Sequence, residues 1–159
     1  MAKIHIMSKT SLFSETVQSE LLANATLVKQ PKGAVLFRRG EPSIGIFLVR
    51  DGSVSLQLES GEGKPIFNRT VARDAVVGLP ATISGDRYSL TALTIDQSEL
   101  AYIERQTLIE LMRINPAVAF EIMHALGEEV LRMREILVSG SAVAFPQRQQ
   151  TGSRTPQLA

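Results

Sequence analysis

The feature that most constrains this chain is a change of texture between residues 29 and 103. Eight of its eleven glycines fall there, and the apolar residues come in segments too short for helices: 34–37, 45–49, 53–58, 65–71, 74–77, 91–94 and 99–103. Ser53-Val54-Ser55-Leu56-Gln57-Leu58 alternates polar and apolar with period two, as a half-buried strand does. Arg38-Arg39-Gly40-Glu41-Pro42 and Gly61-Glu62-Gly63 are turn clusters, and Asp51-Gly52 is a tight-hairpin signal. Short strands at about 8–12-residue spacing with turns between them predict a two-sheet sandwich or a rolled barrel.

Helical patterns flank this region. Residues 11–28 read as short helices: Ser14, Glu15 and Thr16 give a start signal, and Val17, Leu21 and Leu22 follow at helical spacing. After residue 103, Thr107 and Glu110 have the spacing of a capping box opening a helix over 108–113. Asn115-Pro116 is a second start, with Asn as N-cap and Pro at the first helical position. That helix is expected to run from 116 to 138, with Gly127 its one weak interior point. Along it, Ala119, Met123, Leu126, Val130, Met133 and Leu137 are spaced 4, 3, 4, 3, 4, which is a coiled-coil seam and predicts a parallel homodimer. With Met123 at position a, Glu129 at g can pair with Arg134 at e of the second chain. The alternative is a helix packed only on its own barrel, for which Phe120, Ile122 and Ile136 widen the apolar stripe. The expected organisation is an N-terminal segment (1–10), one domain (11–138) and a tail (139–159) that buries too little apolar surface to offset its ordering entropy.

Composition excludes several function classes. The 159 residues contain no Cys, which removes disulfides, thiolate metal sites and cysteine nucleophiles. His5 and His124 show no metal-ligand spacing, and no metal is expected. No nucleophile-and-base arrangement, P-loop or H-E-x-x-H is present, so the chain does not read as an enzyme. Net charge is +1, with the basic residues interleaved with acids, which argues for neither nucleic acid nor membrane as partner. No apolar run approaches the ~18 residues of a membrane span, and a cytoplasmic location is the default. Arg148 and Arg154 in the tail do not make a basic patch, so direct nucleic-acid binding is not expected.

The order of short helices, about eight short strands, a short helix and a long helix resembles the sensor domain of Crp/Fnr-type regulators, a cyclic nucleotide-binding domain. Lys32-Gly33-Ala34-Val35-Leu36-Phe37-Arg38-Arg39-Gly40-Glu41 is similar to the family's opening strand and turn. Ile46-Phe47-Leu48-Val49-Arg50-Asp51-Gly52-Ser53-Val54 is similar to its central hairpin, and Ile114-Asn115-Pro116 with Arg132 to the start and body of its dimerisation helix. The resemblance covers residues 10 to 138. It implies a mainly β fold with flanking helices: a double-stranded β-helix, or jelly-roll-like β-roll, followed by a long C-terminal dimerisation helix. The helix-turn-helix output domain of such regulators has no counterpart in the polar tail.

The resemblance also assigns residues 77–91 to the family's phosphate-binding segment, where a G-E-x-A turn of helix offers backbone N–H groups to the cyclic phosphate. In the family, the Glu holds the ribose hydroxyl and an Arg about ten residues on pairs with the phosphate. Here Gly78 and Ala81 match, while Leu79 takes the Glu position and Pro80 removes one N–H donor. Tyr88 falls where the Arg belongs; Arg87 is one place early and, by strand alternation, turned away unless a bulge intervenes. Tyr88 could stack on a base or donate its hydroxyl to an anion; alternatively it and Leu79 fill a vestigial pocket. A charge-assisted hydrogen bond contributes roughly 1.5–3 kcal/mol, so losing both costs on the order of a hundredfold in affinity. That argues against tight binding of cyclic AMP in the usual manner and leaves weak binding, another ligand or none.

The resulting expectation is a regulatory ligand-sensing module whose contacts are Gly78, Leu79, Pro80, Ala81, Arg87, Tyr88 and Ser89, with Arg134 approaching from the long helix. Its ligand would be cyclic AMP, cyclic GMP or another small anion. The rivals are a dimer scaffold that binds a protein partner and no ligand, and a transcription regulator of Crp/Fnr type that acts with a partner.

Overall fold

The computed structural model describes residues 12–139. The segment 1–10, the tail beyond Ser139, and with them His5, Arg148 and Arg154 lie outside the described residues.

Among the described residues, eight strands form two antiparallel four-stranded sheets. One has the order β1 (Thr26–Gln30), β8 (Ser98–Glu104), β3 (Gly45–Asp51), β6 (Val76–Val77). The other has the order β2 (Val35–Phe37), β7 (Thr91–Thr94), β4 (Val54–Glu59), β5 (Pro65–Val71). The expected roll is present, and strand alternation explains how its layers are held. On β3, Phe47 and Val49 point into the space between the sheets with Phe37, Val54, Leu56, Val71 and Leu100. Ile46 and Leu48 point the other way, with Ala101 and Ile103 of β8, onto the helices. The central strands of the first sheet, β3 and β8, are thus buried on both faces, which is why β3 reads as an unbroken apolar run. Ile46, Leu100, Ile103, Leu108 and Ile122 are fully buried, each contributing about 1.5–3 kcal/mol relative to exposure. Gly52 turns the β3–β4 hairpin at φ +85°; a Cβ there would sit 2.6 Å from the Gln97 carbonyl.

Four helices cover the first sheet. α1 (Glu15–Ala23) starts as its sequence predicts, with Ser14 Oγ accepting from Val17 N at 3.3 Å. The helical reading of 11–28 overshoots, however: Thr26 opens strand β1, which pairs with β8 in the register Thr26↔Tyr102 to Gln30↔Ser98. α2 (Leu79–Ser84) interrupts the strands after β6. α3 (Arg105–Ile114) begins earlier than the Thr107–Glu110 spacing indicates. Its N-cap is Glu104, without a side-chain cap bond, because β8 runs directly into the helix. Its first turn is fixed by neighbours: Arg105 N donates to Ile44 O and Arg105 Nε to Thr82 O, both at 2.9 Å.

α4 (Pro116–Ser139) is capped as expected, with Asn115 Oδ1 accepting from Ala117 N at 3.1 Å. It buries Val118, Ile122 and Ala125 against α1, α3 and the sheet. Glu121 also clasps the start of α1, accepting from Ser14 N at 2.6 Å and Ser14 Oγ at 2.8 Å. The seam residues lie off that buried stripe: Ala119 and Leu126 are half-buried, whereas Met123, Val130, Met133 and Leu137 are exposed. No helix among the described residues is long and apolar enough to cross a membrane.

Candidate ligand-binding site

The segment after β6 turns sharply at Gly78, whose φ of +85° opens α2. A side chain there is excluded twice, by the left-handed backbone and because a Cβ would lie 3.0 Å from the Tyr88 ring. Pro80 removes one N–H from the first turn of α2, leaving those of Leu79 and Ala81. The helix is anchored from behind. Thr82 Oγ1 lies 2.7 Å from Gly78 O and 2.9 Å from Gly45 O, and Thr82 O accepts from Arg105.

The two residues that replace the expected charged pair are both built into the core. Leu79 is buried in the cluster that includes Leu21, Ile46 and Ile122. The Tyr88 ring stacks on Phe37 with centroids 3.8 Å apart and planes 12° apart. Its hydroxyl donates to Gly45 O at 2.7 Å and accepts from Ile44 N and Gly45 N at 3.1 Å. With those bonds made, the hydroxyl is committed to the strand end rather than to a ligand.

Beside this segment lies a cleft of about 750 Å³, walled by the β6–α2 turn, by β4 and β5, and by α4 from His124 to Met133. Gly78, Leu79, Pro80, Ala81, Tyr88 and Ser89 line it. Arg87 does not: its side chain is exposed and Nη1 donates to Gly40 O at 2.7 Å. Arg134 is exposed on α4 and also lies off the lining. Five residues absent from the sequence-based contact set, Arg69, His124, Glu128, Glu129 and Arg132, stand on the opposite wall. Arg69 Nη1 is 3.6 Å from Glu129 Oε1, and Arg132 Nη1 is 3.5 Å from Glu129 Oε2. His124 Nε2 faces Glu128 Oε1 at 3.7 Å. The Arg69 guanidinium is held below its ordinary pKa, first by burial and then by the nearby positive charge of Arg132, against the opposing effect of Glu129. A signal for Arg69 existed in the sequence. It alternates with Phe67 and Val71 on the roll-facing side of β5, where an apolar residue is the rule.

A family model described as cyclic nucleotide-binding domain matches residues 27–115. The chain belongs to this family. The match, with the fold that carries it, identifies residues 27–115 as a cyclic nucleotide-binding domain. The anaerobic regulatory protein of Bacillus subtilis (strain 168) is 25% identical over 143 residues, spanning 87% of this chain and 60% of that protein. The mouse patatin-like phospholipase domain-containing protein 7 is 26% identical over 99 residues, 62% of this chain but 7% of that protein. The chain thus spans less than two thirds of either relative. Among solved structures, the Thermus thermophilus catabolite activator protein superposes with a TM-score of 0.71 at 20% identity, covering 80% of this chain and 60% of that one. At that identity the likeness is one of fold.

Proposed function

We propose that residues 11–138 form a regulatory sensor that takes a small ligand in the cleft and works as a homodimer through α4. The observation that carries this reading is the composition of the cleft walls. Gly78 and Ala81 of the roll stand on one side and Leu126 and Met133 of α4 on the other, so a ligand there touches the phosphate-binding segment and the dimer helix together. A ligand that favours one packing of the helix pair over another shifts the balance between them. Met123, Val130, Met133 and Leu137 present an exposed apolar stripe on a single chain, which a second copy would cover. The role is non-enzymatic and cytoplasmic, and the output passes to a protein partner.

The ligand class is a cyclic nucleotide or another small anion, held without the usual Glu and Arg. The test is a thermal-shift panel of cyclic AMP, cyclic GMP and cyclic dinucleotides at fixed protein concentration. A ligand at a hundred times its Kd should stabilise the fold by about 2.7 kcal/mol. A flat response across the panel supports the second reading, a dimer scaffold without a nucleotide ligand. The burial of Leu79 and Tyr88 at the two altered positions favours that reading.

A further inference from the structure

Two guanidinium groups share one carboxylate on the wall opposite the phosphate-binding segment. The contacts of Arg69 and Arg132 with Glu129, 3.6 and 3.5 Å, are longer than the about 2.7–2.9 Å of a tight charge-assisted bond. The triad therefore holds a positive charge in excess and loosely satisfied donors. The other acids of the lining face neighbours of their own at similar distances: Asp74 Oδ1 accepts from Gln18 Nε2 at 3.5 Å, and Glu128 Oε1 stands 3.7 Å from His124 Nε2. Arg69 is largely withdrawn from water, its side chain 24% exposed, and it sits across from Leu56 in the β4–β5 register. A half-buried guanidinium whose nearest charged neighbours include a second guanidinium gains from any further anion. Beside these charges the cleft is apolar, with Leu56, Leu58, Val71, Leu126 and Met133 in its lining.

We propose that the cleft accepts an amphipathic organic carboxylate whose acid group seats between Arg69 and Arg132 in place of Glu129, with its apolar body over Leu56, Leu58 and Met133. The anion-recognising wall is then β5 with α4, and the α2 turn serves as packing. Because Glu129 belongs to α4, its displacement from Arg69 couples occupancy to the seating of that helix on the roll. This inference rests on reading the cleft as a ligand site.

The test is calorimetric titration of the full chain with octanoate, with octanol carrying the body alone and acetate the charge alone. Octanoate should bind at least about tenfold more tightly than octanol, and acetate should give no measurable heat. Arg69→Gln should weaken octanoate about tenfold and leave octanol unchanged, the loss expected for one charge-assisted contact. Glu129→Gln should strengthen octanoate several-fold, since the internal competitor loses its charge; a merely structural Glu129 would not give that gain. If Arg69→Gln fails to fold, as judged by circular dichroism, Arg132→Gln carries the same expectation from an exposed position. Octanoate affinity that is indifferent to both arginines, or weakened by Glu129→Gln, overturns the proposal. Octanoate without effect while a cyclic nucleotide stabilises the domain overturns it too and leaves the sensor reading standing. Silence from both classes removes both.

Discussion

Replacing Tyr88 with Phe tests whether its hydroxyl anchors the end of β3 beside the cleft. The substitution keeps the ring and its stack on Phe37 and deletes only the hydroxyl. That oxygen serves three backbone groups at the end of β3. Gly45 O retains the Thr82 hydroxyl at 2.9 Å, so the loss falls on two N–H groups. The buried Gly45 N–H should cost about 1–3 kcal/mol when left without a partner, and the half-buried Ile44 N–H about 1 kcal/mol. A total near 2–4 kcal/mol, at an m-value of about 2 kcal/mol/M, lowers the urea midpoint by roughly 1–2 M. The assay is equilibrium urea unfolding followed by far-ultraviolet circular dichroism, both proteins at one concentration because the proposed self-association would contribute to apparent stability. The m-value should be unchanged. A loss below about 0.5 kcal/mol would refute the reasoning, since such a hydroxyl would not be a buried strand anchor.

Two further outcomes are expected. Leu79→Ala removes a side chain buried in the helix-facing core and should cost about 2–4 kcal/mol in the same unfolding assay; a cost under ~1 kcal/mol would mean that Leu79 merely lines the cleft. Val130→Asp places a charge on the exposed stripe of α4, where the single chain has room for it, so fold stability per monomer should change by less than about 0.5 kcal/mol while light scattering reports the mass falling from dimer to monomer. Persistence of the dimer would locate its interface elsewhere.

The roll was legible because its strands are amphipathic in a way that alternation exposes. Gly45-Ile46-Phe47-Leu48-Val49 announces a strand buried on both faces, and Ser14 and Asn115 announce helix starts through their own side chains. What stayed hidden depends on partners distant in sequence. Thr26–Gln30 becomes a strand through pairing with β8, about seventy residues on, and nothing local distinguishes it from the end of a helix. The start of α3 is set by Ile44 and Thr82 rather than by Thr107. In the cleft, the segment 78–89 was placed by the family resemblance rather than by a local rule. Arg69 and Arg132 face each other only because β5 and the middle of α4 meet across the roll, and no spacing rule links residues sixty-three positions apart. Arg87 lies off the cleft lining, in an isolated bridge with Pro42, and bonds to Gly40 instead.

The way α4 is held has a mechanical consequence. Its last fully buried residue is Ala125, and the Ser14–Glu121 clasp lies before that point, so the last fourteen residues are held only through the half-buried Leu126, Glu129 and Ile136. At 1.5 Å per residue that overhang is about 21 Å, and a swing of only about 10° at the base carries its far end through roughly 3–4 Å. Arg69 grips Glu129 close to this fulcrum, where a small push is amplified most. Whatever alters that grip is read out at the tip as a displacement of atomic size.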